Sequence, residues 1–258
     1  MTHLRVVNFS GGIGSWAAAR RVVERHGIEG LTLLFADVRK EDEDLYRFLP
    51  EAAADIGVPV TVIGDGRTIW QVFKDERYLG NTRVDPCSKL LKRQQLDRWR
   101  EENCNPENTT VYIGIDWTEE QRLKDVRARL PRWKIEAPLC EAPYISKTEM
   151  FAALNARGIA TPRLYLMGFP HNNCGGGCVK AGQAHFAHLL KMIPERYAEW
   201  EREEQAMRDY LGRDDISILR DRRGGTPKAL TLKMFRERIQ CGDLGDKYEW
   251  GGCGCAVE

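Results

Sequence analysis

The sequence predicts an α/β protein, a parallel twisted sheet with helices on both faces, followed by a helical C-terminal extension. Three observations carry this. Apolar, β-branched runs at 4–9, 31–36, 59–63 and 110–115 alternate with helix-like stretches near 15–26, 42–56, 67–76, 87–102 and 118–129. Such alternation is the signature of parallel strands covered by helices. The segment Ser10-Gly11-Gly12-Ile13-Gly14-Ser15 joins the first strand to the first helix without a gap. After residue 179 the alternation stops and charged helices take over, which divides the chain into a first domain over 1–180 and an extension over 181–258.

The first run, Leu4 to Phe9, has the length of a buried strand, and Trp16 to Val23 has helical spacing. The turn between them has the ingredients of a phosphate-binding loop. Glycines let backbone approach an anion, hydroxyls add donors, and the helix N-terminus supplies unpaired N–H groups and a favourable dipole. Neither the G-x-G-x-x-G fingerprint nor the Gly-Lys-Ser/Thr pattern is present. Asp37 ends the second run, where it is either a ligand for the nucleotide or its metal or a cap for the next helix. A second region starts near Pro138, where Ser146-Lys147-Thr148-Glu149 opens a helix that Gly158 stops. Residues 194–211 read as a solvated, salt-bridged helix. Arg220, Arg222, Arg223 and Lys228 surround Gly224-Gly225 in an expected loop, either a phosphate or nucleic-acid contact or simply exposed. From Gly242 onward the tail is glycine-rich and expected to lack regular structure.

Composition narrows the function classes. The chain has 258 residues, 42% of them hydrophobic, and a net charge of +1, enough for one substantial core and too balanced to attract nucleic acid except through a local basic surface. It shows no apolar run of membrane-spanning length and no charged-then-apolar leader, so a cytoplasmic protein without a membrane partner is expected.

Eight cysteines stand at 87, 104, 140, 174, 178, 241, 253 and 255. In a cytoplasmic chain a disulfide framework is not expected. Cys174-Gly-Gly-Gly-Cys178 sets two thiols across a glycine turn, and Cys253-Gly254-Cys255 adds a pair in the tail. Grouped thiolates select zinc or iron–sulfur clusters, and spacing alone leaves both open. A tail thiolate near cations is also a competent nucleophile, with its neighbour to resolve the product.

Residues Ser10 to Ser15 resemble the S-G-G-x-D-S pyrophosphate loop of the adenine nucleotide alpha-hydrolase-like superfamily, with Gly14 where the acid usually stands. Leu33 to Asp37 with Glu41 and Tyr46-Arg47-Phe48, Asp85-Pro86-Cys87 with the basic stretch to Lys92, Gly114-Ile115 with Glu119, Glu120 and Arg122, and Leu164 to Pro170 before Cys174 resemble, in order, the 3′-phosphoadenylylsulfate (PAPS) reductase branch. The resemblance covers roughly residues 4 to 180. It implies a nucleotide site of Ser10, Gly11, Gly12, Gly14, Ser15, Asp37, Lys89, Lys92, Gly114, Glu120 and Arg122, taking ATP, adenylylsulfate or PAPS, with Mg²⁺ if the ligand is ATP. It implies a 4Fe–4S cluster, with zinc as the alternative, on Cys87, Cys174 and Cys178. The fourth ligand is Cys255, Cys253 or Cys140, or one iron stays open for sulfide. Cys253 and Cys255 are the expected catalytic thiols, although the family's Glu-Cys-Gly-Leu-His tail is absent. Sulfonucleotide reduction and ATP-dependent thiolation of a nucleic acid or metabolite are the two enzymatic expectations, a nucleotide or redox sensor is the third, and a redox or sulfur-donor protein is an implied partner.

Overall fold

The computed structural model describes residues 2–79, 85–223, 225–243 and 250–251. Five strands, β1 (Leu4–Asn8), β2 (Leu31–Ala36), β3 (Val60–Ile63), β4 (Thr109–Tyr112) and β5 (Lys134–Glu136), form an all-parallel sheet in the order β3-β2-β1-β4-β5. The four expected strands are found where the apolar runs predict them, and β5, only three residues long, is the addition.

Alternation along the strands divides the core. Val7, Phe9, Leu33 and Phe35 pack with α1 (Ile13–His26), α2 (Glu43–Ile56) and α6 (Lys147–Ala156) on one face. Val6, Leu34 and Ala36 pack with Leu96 of α4 (Gln94–Asn103) on the other. Val111 and Ile135 pack with Leu123 and Val126 of α5 (Glu120–Arg129). Side chains of successive residues point to opposite faces of a strand, so both faces of a parallel sheet must be apolar. Helices therefore cover both sides.

The largest cluster joins α3 (Ile69–Asp75) and residues 87–91 to the chain from 164 to 235. It takes in α7 (Arg163–Leu166), α8 (Gln183–Met192), α9 (Pro194–Leu211) and α10 (Leu232–Gln240). Here α9 departs from expectation. Tyr197, Trp200, Glu204 and Met207, at helical spacing, are buried, and Trp200 meets Trp70 edge-on at 5.0 Å. Its many Glu and Arg residues fill the outer positions, so average composition hid an amphipathic stripe.

A second correction concerns the basic segment near 224. Arg220 and Lys228 lie on strands β6 (Leu219–Asp221) and β7 (Lys228–Leu230) of an antiparallel hairpin, and Arg223 is paired with Asp221 and Asp243. The hairpin is anchored from below by Glu204, whose carboxylate accepts from Ile218 N at 2.8 Å and Leu232 N at 2.6 Å. Of the tail, Gly251 bridges to Ala181 and Gly182 N donates to the carbonyl of Trp250 at 2.8 Å. No helix among the described residues is long and apolar enough to cross a membrane.

Candidate functional site

Strand order reverses between β1 and β4, so the chain leaves these adjacent strands in opposite directions and a crevice opens at their carboxyl ends. Residues 9–15 and 113–116 form its lips. They are drawn together by a backbone contact that only glycines allow. A Cβ on Gly14 would stand 2.7 Å from Gly114 O, and one on Gly114 would stand 2.6 Å from Ser15 N. Gly14, where the resembled loop carries an acid, is thus demanded by packing. Gly11 adopts a φ of +74°, and a Cβ there would meet Leu45.

The resulting cleft opens to solvent and has a cavity volume of about 80 Å³. The phosphate-type loop from Ser10 to Ser15 forms one wall, Gly114, Asp116, Glu119 and Arg122 a second, and Lys147, Met150, Tyr165 and residues 171–173 the third. The N-terminal turn of α1 opens into it with no side-chain cap at Gly12. Ser15 Oγ donates to Gly12 O at 2.8 Å, and Ile13 N donates to Tyr165 Oη at 3.3 Å. Burial pushes the Tyr165 phenol up to about 12, so it stays protonated and neutral near pH 7. Asn172, fully buried, donates its amide to Gly11 O at 3.0 Å and leaves its carbonyl oxygen without a donor. A buried acceptor without a donor is uncommon in folded proteins. Here it borders a cleft.

Of the residues expected at a nucleotide, Ser10, Gly12, Gly14, Ser15, Gly114 and Arg122 line this cleft, and Gly11 lies behind it. Arg122 is paired with Glu119, which takes the place expected of Glu120. Asp37 points elsewhere, accepting from Arg39 N and Tyr46 Oη, each at 2.8 Å, while Asp42 caps α2. Lys89 is exposed away from the cleft. Lys92, on a π-helical turn over Ser88–Arg93, is buried in an ion pair with Glu41 at 3.1 Å.

That pair belongs to a second polar assembly. The other oxygen of Glu41 accepts from Cys174 N, and Asp42 bonds Arg163 and Arg196 at 2.7 Å each. Arg196 reaches on to Gly175 O at 2.6 Å. Burial works against the ionisation of Asp42, and the two guanidiniums overcome it, holding its pKa below the usual carboxylate value. The network pins the Cys174–Gly176 turn, where Cys174 itself has a φ of +50°.

Cys87 donates to Asp85 at 3.8 Å, and Asp85 pairs with Lys180, two residues beyond Cys178, so Cys87 and Cys178 share one region. Cys174 sits on the turn held by Glu41. Among the described residues no three Cys, His, Asp or Glu side chains form a metal-holding group. Cys140 donates to Ile115 O, and burial pushes its thiol up to about 11, the environment of an inert structural cysteine. Cys253 and Cys255 lie outside the described residues. None of the described cysteines lines the cleft.

Sequence reasoning missed Lys147, Asn172, Tyr165 and Asp116 as cleft residues. The Ser146–Glu149 capping box announced the helix that carries Lys147, but nothing in the sequence told that this helix faces the loop after β1. Compared with known proteins, the sequence matches no family model and no curated protein.

Proposed function

We propose that the protein is an enzyme of sulfur chemistry that binds an adenine nucleotide by its phosphates at the N-terminus of α1, in the manner of the PAPS reductase family that its sequence resembles. One observation carries the reading: a crevice at the reversal of a parallel sheet, lined by a glycine-serine loop, an uncapped helix N-terminus and two cationic side chains. Backbone N–H groups, the helix dipole, Lys147 and Arg122 are fixed before a ligand arrives, and preorganised donors stabilise charge that develops on a transferred phosphoryl or sulfonyl group. Because no described thiol reaches the cleft, the sulfur is brought to it, from Cys253 or Cys255 or from a donor protein. In the reductive version a thiolate attacks the sulfonate sulfur, the S–O bond breaks and the adenine nucleotide leaves with the bridging oxygen, and a second thiolate then displaces sulfite from the cysteine S-sulfonate, the two thiols supplying the electrons as they close a disulfide. A cytoplasmic setting belongs to the same proposal.

Asp116 favours a second reading. Its carboxylate borders the cleft, bonded to Thr118 N at 2.9 Å, where it is placed to accept the Mg²⁺ of an ATP complex used to activate an oxygen for thiolation. Equilibrium titration with ATP, adenylylsulfate and PAPS, followed by turnover assays, tests both. The Gly12→Val variant sets a branched side chain against Tyr165 Oη, 3.3 Å from the Cβ position, and is expected to lose binding while staying folded. Full affinity in that variant contradicts the assignment.

A further inference from the structure

Lys147 is an exposed cation on the wall of the cleft, held by a carbonyl oxygen and a ring face. Its ammonium lies 2.6 Å from Pro170 O and 5.2 Å from the centre of the Tyr165 ring. Among the described residues no carboxylate stands within ion-pair distance of it, whereas Arg122, Lys92 and Lys180 each have one. It also occupies the first turn of α6, where the helix dipole disfavours positive charge. A cation set against the helix dipole on a cleft wall, with no carboxylate beside it, marks a candidate anion-binding position.

We propose that Lys147 clamps a tetrahedral oxyanion of the nucleotide, a phosphate or a sulfate, against the N-terminal turn of α1. This rests on the nucleotide-binding reading above. Tyr165 links the two parts, since its ring carries the lysine and its hydroxyl accepts from Ile13 N. The ammonium has three donors and the Pro170 carbonyl takes one, so an oxyanion can be bound beside the carbonyl and the ring face. The capping box, Ser146 Oγ accepting from Glu149 N at 3.2 Å and Glu149 accepting from Ser146 N at 2.7 Å, fixes the turn from which it reaches. Lys147 is exposed at the mouth of the cleft, and partial desolvation by the cleft walls lowers its pKa from the ordinary lysine value, against the opposing pull of Asp116 and Glu119. The other charged or titratable groups of the cleft are Arg122, Tyr165 and His171.

The test is equilibrium titration of ATP, adenylylsulfate and adenosine into the full chain and its Lys147→Met and Lys147→Arg variants. Lys147→Met is expected to weaken ATP, adenylylsulfate or both by about tenfold or more, the scale of one charge-assisted hydrogen bond, and to leave adenosine unchanged. Loss for ATP alone assigns the lysine to a phosphate, and loss for adenylylsulfate alone assigns it to the sulfate. Lys147→Arg keeps most of the affinity. In the unsubstituted protein anion affinity falls with rising pH as the ammonium deprotonates, and this fall is absent from both variants. A merely structural lysine would not produce it. Unchanged anion affinity in Lys147→Met, or equal losses for adenosine and the anions, overturns the proposal. If Gly12→Val loses binding and Lys147→Met does not, only the role of Lys147 fails. If the unsubstituted protein binds none of the three, the nucleotide reading fails with it.

Discussion

Two polar regions border the carboxyl edge of the sheet, and they are built to opposite rules. Around Glu41 and Asp42 every carboxylate meets a cation or a backbone N–H, and the result is a buried knot tying α2, α7, α9 and the Cys174 turn together. Around the loop of 10–15 several polar groups lack such partners: Gly12 offers α1 no side-chain cap, Asn172 keeps an acceptor without a donor, and Lys147 has no carboxylate beside it. Paired charges hold a fold together, whereas preorganised and unpaired ones await a ligand. The comparison assigns structure to the first region and binding to the second.

Removing a partner from the closed region is expected to have the largest effect on stability. Asp42→Ala strands Arg196, while Arg163, 40% exposed, returns to water, so the cost in denaturant unfolding should be about 3 kcal/mol, the low end of the range for breaking a buried ion pair. Nucleotide affinity of the folded protein should change little. Because the folded pKa of Asp42 is depressed, its contribution is present above the unfolded value and is lost as pH falls through the folded one. A stability profile in acid that is the same with and without Asp42 would break the account.

Next comes the contact between the two lips of the cleft. Gly114→Ala puts a methyl 2.6 Å from Ser15 N, and we expect a cost of about 1–3 kcal/mol together with loss of nucleotide binding. Gly14→Asp, which introduces the acid of the resembled loop, should lose nucleotide binding for the same reason, since its Cβ would stand 2.7 Å from Gly114 O. Tight binding by either variant would show that the lips are not coupled.

The smallest expected effect sharpens the rule from a third place. Glu204 is buried without a cation within ion-pair distance among the described residues, and burial raises its pKa to about 7 although two backbone N–H groups favour the ionised form. With the folded pKa above the unfolded one, its contribution is full below the unfolded value and declines as pH rises toward 7. Glu204→Gln should flatten that slope in melts between pH 4 and 8, by about 1–3 kcal/mol at most. A slope that persists in the variant assigns it to other groups.

How much of this was legible in the sequence follows from the range of each interaction. Strands β1 to β4 and their helices announce themselves through local periodicity, and so does the glycine loop with its strand and helix on either side. The three-residue strands β5, β6 and β7 carry no periodic signal and were missed. Lys92 looked like a phosphate ligand because its partner Glu41 lies 51 residues away. Gly114 was flagged by resemblance, but its reason, the contact with Gly14 and Ser15, exists only once β1 and β4 are neighbours. Lys147 escaped because helix capping says where a helix starts and not what it faces.

The central claim is that the open region binds a nucleotide and the closed region does not. Backbone amide chemical shifts recorded while adenylylsulfate or ATP is added test it most directly. The account predicts that the amides of Gly12, Gly14, Ser15 and Gly114 shift with saturation, while those of Asp42, Cys174, Gly175 and Gly176 stay in place. Shifts confined to the second set, or none in either, would contradict it.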